Sequence, residues 1–177
     1  GDDPDIARRQ LHFKLTQNDS VNFDASEFNL PINERSMSGY AAMHRTPLNI
    51  DDVYRLPANS PYGFDRSFDA KIGYRTKSVL TTPLLSRVGD VIGVLQLINK
   101  KAEPSAKLIN LDEDLEGGIP FDKRSEDLLL TLASLAGIAL ENAILYAENK
   151  RMLEGFVRAS VEAIEQRDPT TSGHSIR

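Results

Sequence analysis

The feature of this sequence that most constrains its fold is a pair of apolar segments separated by a tight turn. The segments cover residues 78–85 and 91–98, and Gly89 lies in the turn between them. Apolar segments of strand length joined by a short glycine-containing turn are typical of a β-hairpin. The sequence therefore predicts two antiparallel strands here.

Composition limits the classes of function open to this chain. Its 177 residues suffice for one domain with an appendage. The chain has no cysteine, which excludes disulfides, thiolate zinc sites and cysteine nucleophiles. The net charge of -5 offers no basic surface for nucleic acid. Because no apolar run approaches the roughly 18 residues of a membrane span and no secretory signal is visible, we expect a cytoplasmic protein without membrane contact.

Four further short elements are predicted outside the hairpin. Apolar and polar side chains alternate over residues 11–15, which predicts a half-buried strand. Residues 36–45 have apolar side chains at helical spacing, and Ser36 is a suitable N-cap. Short strands are predicted at residues 48–50 and, as an edge strand, at residues 107–111.

Residues 51–68, which we call the aromatic loop, form a long segment with proline, glycine and asparagine. It contains Tyr54, Tyr62, Phe64 and Phe68. Loops of this length are uncommon unless they cover something. Two interpretations are open and are compatible: the aromatic side chains form a small additional core, or the loop covers a ligand.

From Phe121 to Arg167 the sequence has a sustained helical pattern. Side chains recur at intervals of four and three residues, and we call these positions the seam: Leu128, Leu132, Leu135, Ala139, Asn142, Tyr146, Asn149, Leu153, Phe156, Ser160 and Ala163. Such spacing predicts a helix roughly 65–70 Å long that pairs with a partner helix as a coiled coil. The alternative, packing of the helix on its own domain, is expected for the first turns. We therefore predict a parallel homodimer through this helix.

Four residues of this helix depart from an ideal pattern. Asn142 and Asn149 occupy equivalent seam positions, where a polar residue lowers stability but favours a two-stranded register. Gly137 and Gly155 each weaken a helix by about 1 kcal/mol relative to alanine.

The amino-acid sequence of the hairpin and its surroundings resembles that of a known family. The matching pieces are FD at 68–69, GYRTKS at 73–78, TPL at 82–84 and GVLQLINK at 93–100. They resemble the ligand-binding GAF domains of cyclic-nucleotide phosphodiesterases and their bacterial relatives. The resemblance implies an α/β (α+β) fold with an antiparallel central sheet, flanking helices and a long C-terminal helix. It also implies a sensor that binds and signals, not an enzyme, and an aromatic loop that folds over the ligand.

The same resemblance implies which residues meet a small-molecule ligand, with a cyclic nucleotide as the candidate and no other cofactor. The implied residues are Met37, Ser38, Gly39, Phe64, Phe68, Asp69, Ile72, Thr76 and Gln96. The first three would offer backbone N–H groups at a helix start to a phosphate, since those groups are unpaired and the helix dipole is positive there. Asp69, Thr76 and Gln96 would read a purine edge, and the apolar members would wall the pocket or stack on the base.

Each polar member also has an ordinary structural role. Asp69 could cap the turn that leads to Gly73, Thr76 could begin a strand, and Gln96 could face solvent. We expect either that all three residues contact the ligand or that none of them does.

A second motif of the family is present only in part, and it supports the prediction of a GAF fold more than the prediction of a cyclic-nucleotide ligand. Its pattern is matched by Asn99, Lys100, Phe121 and Glu126, but Ser125 occupies the position of an aspartate. In the family that aspartate pairs with the lysine behind the pocket, so Lys100 lacks its usual partner. Asp122 or Asp127 could substitute.

The two ends of the chain lead to expectations about domain organisation. GAF domains usually begin with a helix and a strand that residues 1–10 do not resemble. Residues 161–177 resemble the opening of HD-GYP domains, metal-dependent phosphodiesterases of cyclic di-GMP in which the counterpart of His174 is a metal ligand. An isolated histidine does not hold a catalytic metal, so we expect no metal in this chain. The predicted division is a GAF domain at 1–125, a linker helix at 126–167 and the start of an HD-GYP domain at 168–177.

The predicted function is a non-catalytic sensor domain that controls a downstream HD-GYP phosphodiesterase in the same protein. The alternative is a ligand-free module that dimerises and relays signals. A buried pocket with convergent polar groups would favour the sensor. A pocket filled by Phe64, Phe68 and Met43 would favour the relay.

Overall fold

The computed structural model describes residues 6–18, 20, 29–105 and 118–167. Their helices and strands, in chain order, are β1 (Gln10–His12), β2 (Asn29–Pro31), α1 (Met37–His44), β3 (Leu48–Ile50), α2 (Arg66–Ile72), β4 (Val79–Leu85), β5 (Val91–Ile98), β6 (Lys100–Lys101), β7 (Gly118–Ile119) and α3 (Lys123–Arg167). Single 3₁₀ turns lie at Ile6–Arg8 and Val53–Arg55. All described strand pairs are antiparallel: β1 with β2, β3 with β4 and β5, and β6 with β7. The predicted mixed α/β fold with antiparallel sheets and a long C-terminal helix is confirmed.

The predicted hairpin is the centre of the main sheet. Strands β4 and β5 pair along their length, and β3 lies on the other side of β4. Alternate residues of β4 point to opposite faces. Val79 packs in a cluster with Met37 of α1, whereas Leu80 packs with Leu129 of α3. We call these two surfaces the α1 face and the α3 face of the sheet.

Helix α1 begins and ends as its sequence predicts. Ser36 has extended backbone angles, and its hydroxyl accepts a hydrogen bond of 3.0 Å from the N–H of Gly39, which is an N-cap. Arg45 ends the helix in the left-handed conformation. A β-carbon at Gly39 would lie 2.4 Å from the carbonyl oxygen of Asn33. Only glycine therefore lets the preceding segment approach this helix so closely.

Helix α2 was not predicted, and the aromatic loop is correspondingly more ordered than expected. Asp65 caps the helix by accepting a hydrogen bond of 2.9 Å from the N–H of Ser67, and Gly73 ends it at a φ of 66°. Seven residues of mixed polarity give too weak a periodicity to identify a helix from sequence. The cap residues were the available signal.

The predicted short strands have mixed outcomes. The strand at 48–50 is confirmed as β3, but β1 ends at His12 and does not extend over residues 11–15 as predicted. The alternating residues 13–15 therefore lie beyond the end of the strand. The edge strand expected at 107–111 lies outside the described residues. The two-residue strands β6 and β7 were not foreseen because such short pairs have no sequence period.

Helix α3 confirms the predicted long helix, with 45 residues. The residues that it buries are Leu129, Ala133 and Gly137, a stripe of i, i+4 spacing on the α3 face. The neighbouring seam is exposed: Leu135 has 61% of its surface accessible, compared with 3% for Leu129. The chain divides into two compact units, Gly1–Ile138 and Ala139–Arg177. All contacts of the site described below lie within the first.

By length and composition alone, α3 is also apolar enough to cross a membrane. Within Lys123–Glu165 an 18-residue window has a mean hydropathy of 1.9, and 17% of it is buried. This finding runs against the sequence-based expectation that no apolar stretch approaches membrane length. A helix that packs one apolar stripe on its own domain and exposes a second apolar seam has a composition as apolar as that of a membrane-spanning helix.

The two glycines of α3 are not equivalent. We expect Gly137→Ala to lower the free energy of unfolding by about 1–3 kcal/mol, because its β-carbon would lie 2.5 Å from the carbonyl oxygen of Leu85. Gly155 has open space around it, so Gly155→Ala should raise stability by up to about 1 kcal/mol. Urea unfolding of the two variants checks the contrast. Equal stabilisation of both would show that α3 does not approach β4 this closely.

Candidate functional site

Two predicted ligand residues, far apart in sequence, meet where α1 begins above β5. The hydroxyl of Ser38 donates a hydrogen bond of 2.6 Å to the side-chain carbonyl oxygen of Gln96. Ser38 lies in the first turn of α1, and Gln96 projects from β5 on the α1 face. Gln96 therefore does not simply face solvent. The contact brings the amide of a strand to the positive end of a helix dipole.

The aromatic loop covers the adjoining part of the α1 face. Met37 and Val79 belong to a buried cluster with Ile50 and Val53. Tyr54, Tyr62 and Phe64 of the loop pack against this cluster. The ring of Tyr62 also meets that of Tyr40 on α1 at a centroid distance of 5.1 Å. Three of the four aromatic side chains of the loop thus pack in a core, as one of its two interpretations predicts, whereas Phe68 is not part of it.

The predicted pair Asp69 and Thr76 bind to each other. Asp69 is 1% exposed, and its two carboxylate oxygens accept from the N–H of Thr76 at 2.6 Å and from its hydroxyl at 2.9 Å. The same carboxylate accepts a hydrogen bond of 3.1 Å from the hydroxyl of Tyr54. These three bonds hold the middle of α2 against the segment that enters β4 and against Tyr54. Asp69 therefore has a structural role, but its carboxylate binds beyond Gly73, and the turn at Gly73 is closed by the backbone carbonyl of Asp69.

Tyr54 is one of the residues that attach the aromatic loop to the domain, and the sequence indicated no role for it beyond its place in that loop. Guanidinium groups of Arg66 and Arg75 lie over its ring at 4.4 and 4.5 Å, which is cation–π geometry. Burial, together with the charge of Asp69, raises the pKa of the Tyr54 hydroxyl. That hydroxyl therefore remains a hydrogen-bond donor to Asp69 at neutral pH.

The remaining apolar candidates occupy different places. Phe68 lies on α2 with 42% of its surface exposed, and Ile72 at the end of the same helix is half-buried. Phe64 belongs to the covered cluster, whereas Met43 packs with Ile6, Ile32, Ala42 and Val91 in another. The residues that would fill the pocket in the relay interpretation thus do not form one cluster.

Asn99 joins the end of β5 to the segment before β4. Its side-chain oxygen accepts from the N–H of Lys77 at 2.6 Å, and its amide nitrogen donates to the carbonyl of Arg75 at 2.7 Å. The residue is 4% exposed and has a φ of 56°. Asparagine is one of few side chains that tolerate this left-handed conformation. This motif residue is therefore a backbone anchor.

Lys100 has an ionic partner despite the serine at position 125. Its ammonium lies 3.0 Å from a carboxylate oxygen of Asp122 and donates a hydrogen bond of 2.9 Å to the hydroxyl of Ser125. The other oxygen of Asp122 accepts from the N–H of Ser125 at 2.9 Å, so Asp122 also caps α3. Asp122, one of the two substitutes considered, supplies the charge that the serine lacks.

The other two motif residues secure the start of α3. Phe121 packs with Leu80 and Leu129 on the α3 face. The side-chain amide of Asn49 donates to the carbonyl of Phe121 at 3.1 Å and to the carboxylate of Glu126 at 3.3 Å. Hydrogen bonds from Lys123 and then Asn49 lower the pKa of Glu126. The motif thus ties β3, β5 and α3 together.

Stability should depend on pH through Asp122. Hydrogen bonds from Ser125 and Lys100 lower its pKa in the folded protein well below the ordinary 3.8. Its contribution to stability is therefore complete above the ordinary value, and it is lost as the pH falls from there through the lowered pKa of the folded protein. We expect Asp122→Asn, which keeps a cap acceptor, to flatten the fall of the melting temperature below pH 4. Because Asp122 is exposed, 0.5 M salt should reduce the difference. Parallel pH profiles for both proteins would exclude this role.

No metal site accompanies this geometry within the described parts of the chain. Among those residues no three His, Asp or Glu side chains are grouped to hold an ion. His174, the metal ligand implied for a complete HD-GYP domain, lies outside them, as does the whole segment 168–177.

Comparison with known proteins shows the family of this chain. The GAF domain family model matches residues 9–140. The chain therefore belongs to the GAF domain family, a family of regulatory domains.

Three curated relatives have names that describe 3',5'-cyclic phosphodiesterases. The dual 3',5'-cyclic-AMP and -GMP phosphodiesterase 11A of Takifugu rubripes is 31% identical over 66% of this chain and 11% of its own length. The probable 3',5'-cyclic phosphodiesterase pde-5 of Caenorhabditis elegans is 31% identical over 73% of the chain and 15% of its own. The dual 3',5'-cyclic-AMP and -GMP phosphodiesterase 11 of Drosophila melanogaster is 32% identical over 64% of the chain and 6% of its own length. The chain thus spans a small part of each relative.

Among solved structures, the GAF domain of a phosphoenolpyruvate-protein phosphotransferase (ptsP) from Coxiella burnetii is similar at a TM-score of 0.44 and 18% identity. The match covers 70% of this chain and 58% of that one.

Proposed function

We propose that this chain is a regulatory module that binds a small ligand of the cyclic-nucleotide class. The observation that carries the proposal is the Ser38–Gln96 hydrogen bond of 2.6 Å. It brings together a helix start suited to an anion and an amide suited to a base edge. The three relatives named as 3',5'-cyclic phosphodiesterases, two of them of cyclic AMP and cyclic GMP, support the same ligand class.

The start of α1 supports binding of an anion. Ser36 uses its hydroxyl for the N–H of Gly39 and its carbonyl for that of Tyr40. Among the described contacts, the N–H groups of Met37 and Ser38 have no partner. Two adjacent free N–H groups at the positive end of a helix are the usual receptor for a phosphate oxygen.

A series of short contacts supports transmission of a binding signal from the aromatic loop to α3. Tyr54 binds Asp69, Asp69 binds Thr76, and Asn99 holds the adjacent carbonyl of Arg75. The residue after Asn99, Lys100, then binds Asp122 at the cap of α3. Rearrangement of the loop on binding would shift this series, and coupling of about 1–3 kcal/mol suffices for regulation.

The output proposed for this module is a dimer formed through α3. Its seam residues Leu128, Leu132, Leu135, Leu153 and Phe156 are all exposed in the single chain. A parallel homodimer would cover them and would transmit changes in crossing or register to a downstream HD-GYP phosphodiesterase. A cytoplasmic location without membrane contact completes the proposal. Sedimentation equilibrium should give twice the mass of one chain.

The second candidate is a relay module without a ligand. It is favoured by the packing of Phe64 onto the cluster around Met37 and Val79, which covers part of the α1 face. It is disfavoured by the exposure of Phe68 and the separate location of Met43.

Calorimetric titration of cyclic AMP and cyclic GMP into the purified chain tests the proposal. We expect micromolar binding of at least one nucleotide and a loss of about tenfold or more in affinity for Gln96→Ala. Gln10→Ala, which changes an exposed glutamine on β1, is the matched control and should bind as the wild type does. A folded wild-type chain that gives no heat with either nucleotide would favour the relay module.

A further inference from the structure

Thr81, in the middle of β4, is a buried residue whose hydroxyl has no partner. It is 0% exposed, and its side-chain oxygen has no hydrogen-bond partner among the described residues. Leaving a buried hydroxyl unsatisfied is costly, so such groups are rare and call for an explanation. Neither the sequence motifs nor the family resemblance assigned a role to this threonine.

The register of the sheet places Thr81 beside the candidate ligand site. Thr81 is the direct cross-strand partner of Gln96 on β5 and of Leu48 on β3. Directly paired residues project from the same face, with β-carbons about 4.5–5.5 Å apart. Thr81 therefore lies on the α1 face next to the amide that Ser38 engages.

The next threonine along the strand has the opposite environment. Thr82 faces the other side of the sheet, where it lines a groove with Leu130, Ala133 and Ser134 of α3. Its hydroxyl has an acceptor, the carbonyl of Pro83 at 3.5 Å. The two adjacent threonines are thus equally buried, but only the one beside Gln96 has a hydroxyl without a partner.

We infer that Thr81 is a specificity-determining residue of the ligand site and that its hydroxyl binds the base edge of the ligand alongside Gln96. The inference rests on the proposed function, because it assumes that a nucleotide enters between α1 and the sheet. With its oxygen engaged by Ser38, Gln96 still offers an amide nitrogen as donor. A hydroxyl either donates or accepts, so the pair suits neighbouring polar atoms on the edge of a planar heterocycle, as in a purine.

The inference predicts two effects of replacing Thr81, one on the melting temperature and one on ligand affinity, that a threonine with only a structural role would not show together. Valine has nearly the shape of threonine without the hydroxyl. In the unliganded protein, Thr81→Val removes a buried polar group with no partner, so the melting temperature should stay the same or rise by about 2–4 °C. In the complex it removes a hydrogen bond to the ligand, so the affinity should fall about tenfold.

The test combines thermal unfolding with calorimetric titration of cyclic AMP and cyclic GMP for the wild type, Thr81→Val and Thr82→Val. We expect weaker binding without loss of stability for Thr81→Val alone. Unchanged affinity of Thr81→Val, equal weakening in both variants, or weaker binding together with a lower melting temperature would each overturn the inference. If the wild type itself binds neither nucleotide, the proposed function fails and this inference fails with it. That result is distinguishable because it appears before any substitution is made.

Discussion

We expect Asn99→Ala to lower the free energy of unfolding by at least about 3 kcal/mol, one of the two largest effects of any single substitution proposed for this chain. The side chain satisfies the N–H of Lys77 and the carbonyl of Arg75 in a buried position. Loss of both bonds leaves two backbone groups unsatisfied, at about 1–3 kcal/mol each. Alanine is also strained at a φ of 56° by about 1–2 kcal/mol.

Urea unfolding measures this loss, and Asn99→Gly separates its two causes. Glycine adopts the left-handed conformation freely but has no side chain. We therefore expect Asn99→Gly to be destabilised, though by about 1 kcal/mol less than Asn99→Ala. Wild-type stability of Asn99→Gly would show that backbone conformation, and not the two hydrogen bonds, explains the asparagine.

The second large effect is expected for Asp69→Ala, with a loss of about 2–5 kcal/mol in the free energy of unfolding. The substitution leaves the N–H and hydroxyl of Thr76 and the hydroxyl of Tyr54 without their acceptor. Buried groups left unsatisfied cost about 1–3 kcal/mol each, reduced where a side chain turns to water. Asp65→Ala, which removes only the exposed cap of α2, should be affected much less.

This expectation changes how a ligand test must be designed. Loss of nucleotide binding in Asp69→Ala would follow from loosening of the aromatic loop and of the entry to β4. It would not identify Asp69 as a ligand contact. Gln96 has a half-buried side chain that, among the described contacts, is hydrogen-bonded to the hydroxyl of Ser38 alone, so its substitution disturbs the fold less. Wild-type stability of Asp69→Ala would reverse this argument and make Asp69 available to a ligand.

The family of this chain has consequences for its partners. As a GAF domain that spans 6–15% of the length of its curated relatives, it corresponds to one module of such proteins. The contacts that join the aromatic loop to the cap of α3 are all within the first compact unit. Under the proposed function, a ligand that moved the loop would act on the start of the helix through which we propose that the chain dimerises.

Elements with strong local signals were predictable from sequence. The hairpin follows from two apolar runs and a turn, and α1 follows from its spacing and from the cap residue Ser36. The long helix α3 follows from a period sustained over 45 residues. Helix α2 and the short pair β6 and β7 were missed because seven and two residues carry too little periodicity to outweigh their polar composition.

The candidate site was predictable only in part, because a local sequence pattern does not show which residues distant in sequence contact each other. The resemblance brought Ser38 and Gln96 to one site, and they meet at 2.6 Å. It did not reveal that Asp69 and Thr76 bind each other, or that Tyr54 lies between two guanidinium groups. It also could not show that the hydroxyl of Thr81 is left without a partner.

The sequence by itself determined the family, the hairpin and the long helix, because these depend on periodicity and on motifs read within a few dozen residues. Only the tertiary structure decided that Asp122 would replace the missing partner of Lys100, and that α3 would bury Leu129 while the seam stays exposed. Those outcomes depend on which side chains the register of the sheet and the rotation of a helix bring within hydrogen-bonding or packing distance. A rotation of one residue, about 100° on a helix, exchanges one stripe for the next without changing the sequence pattern.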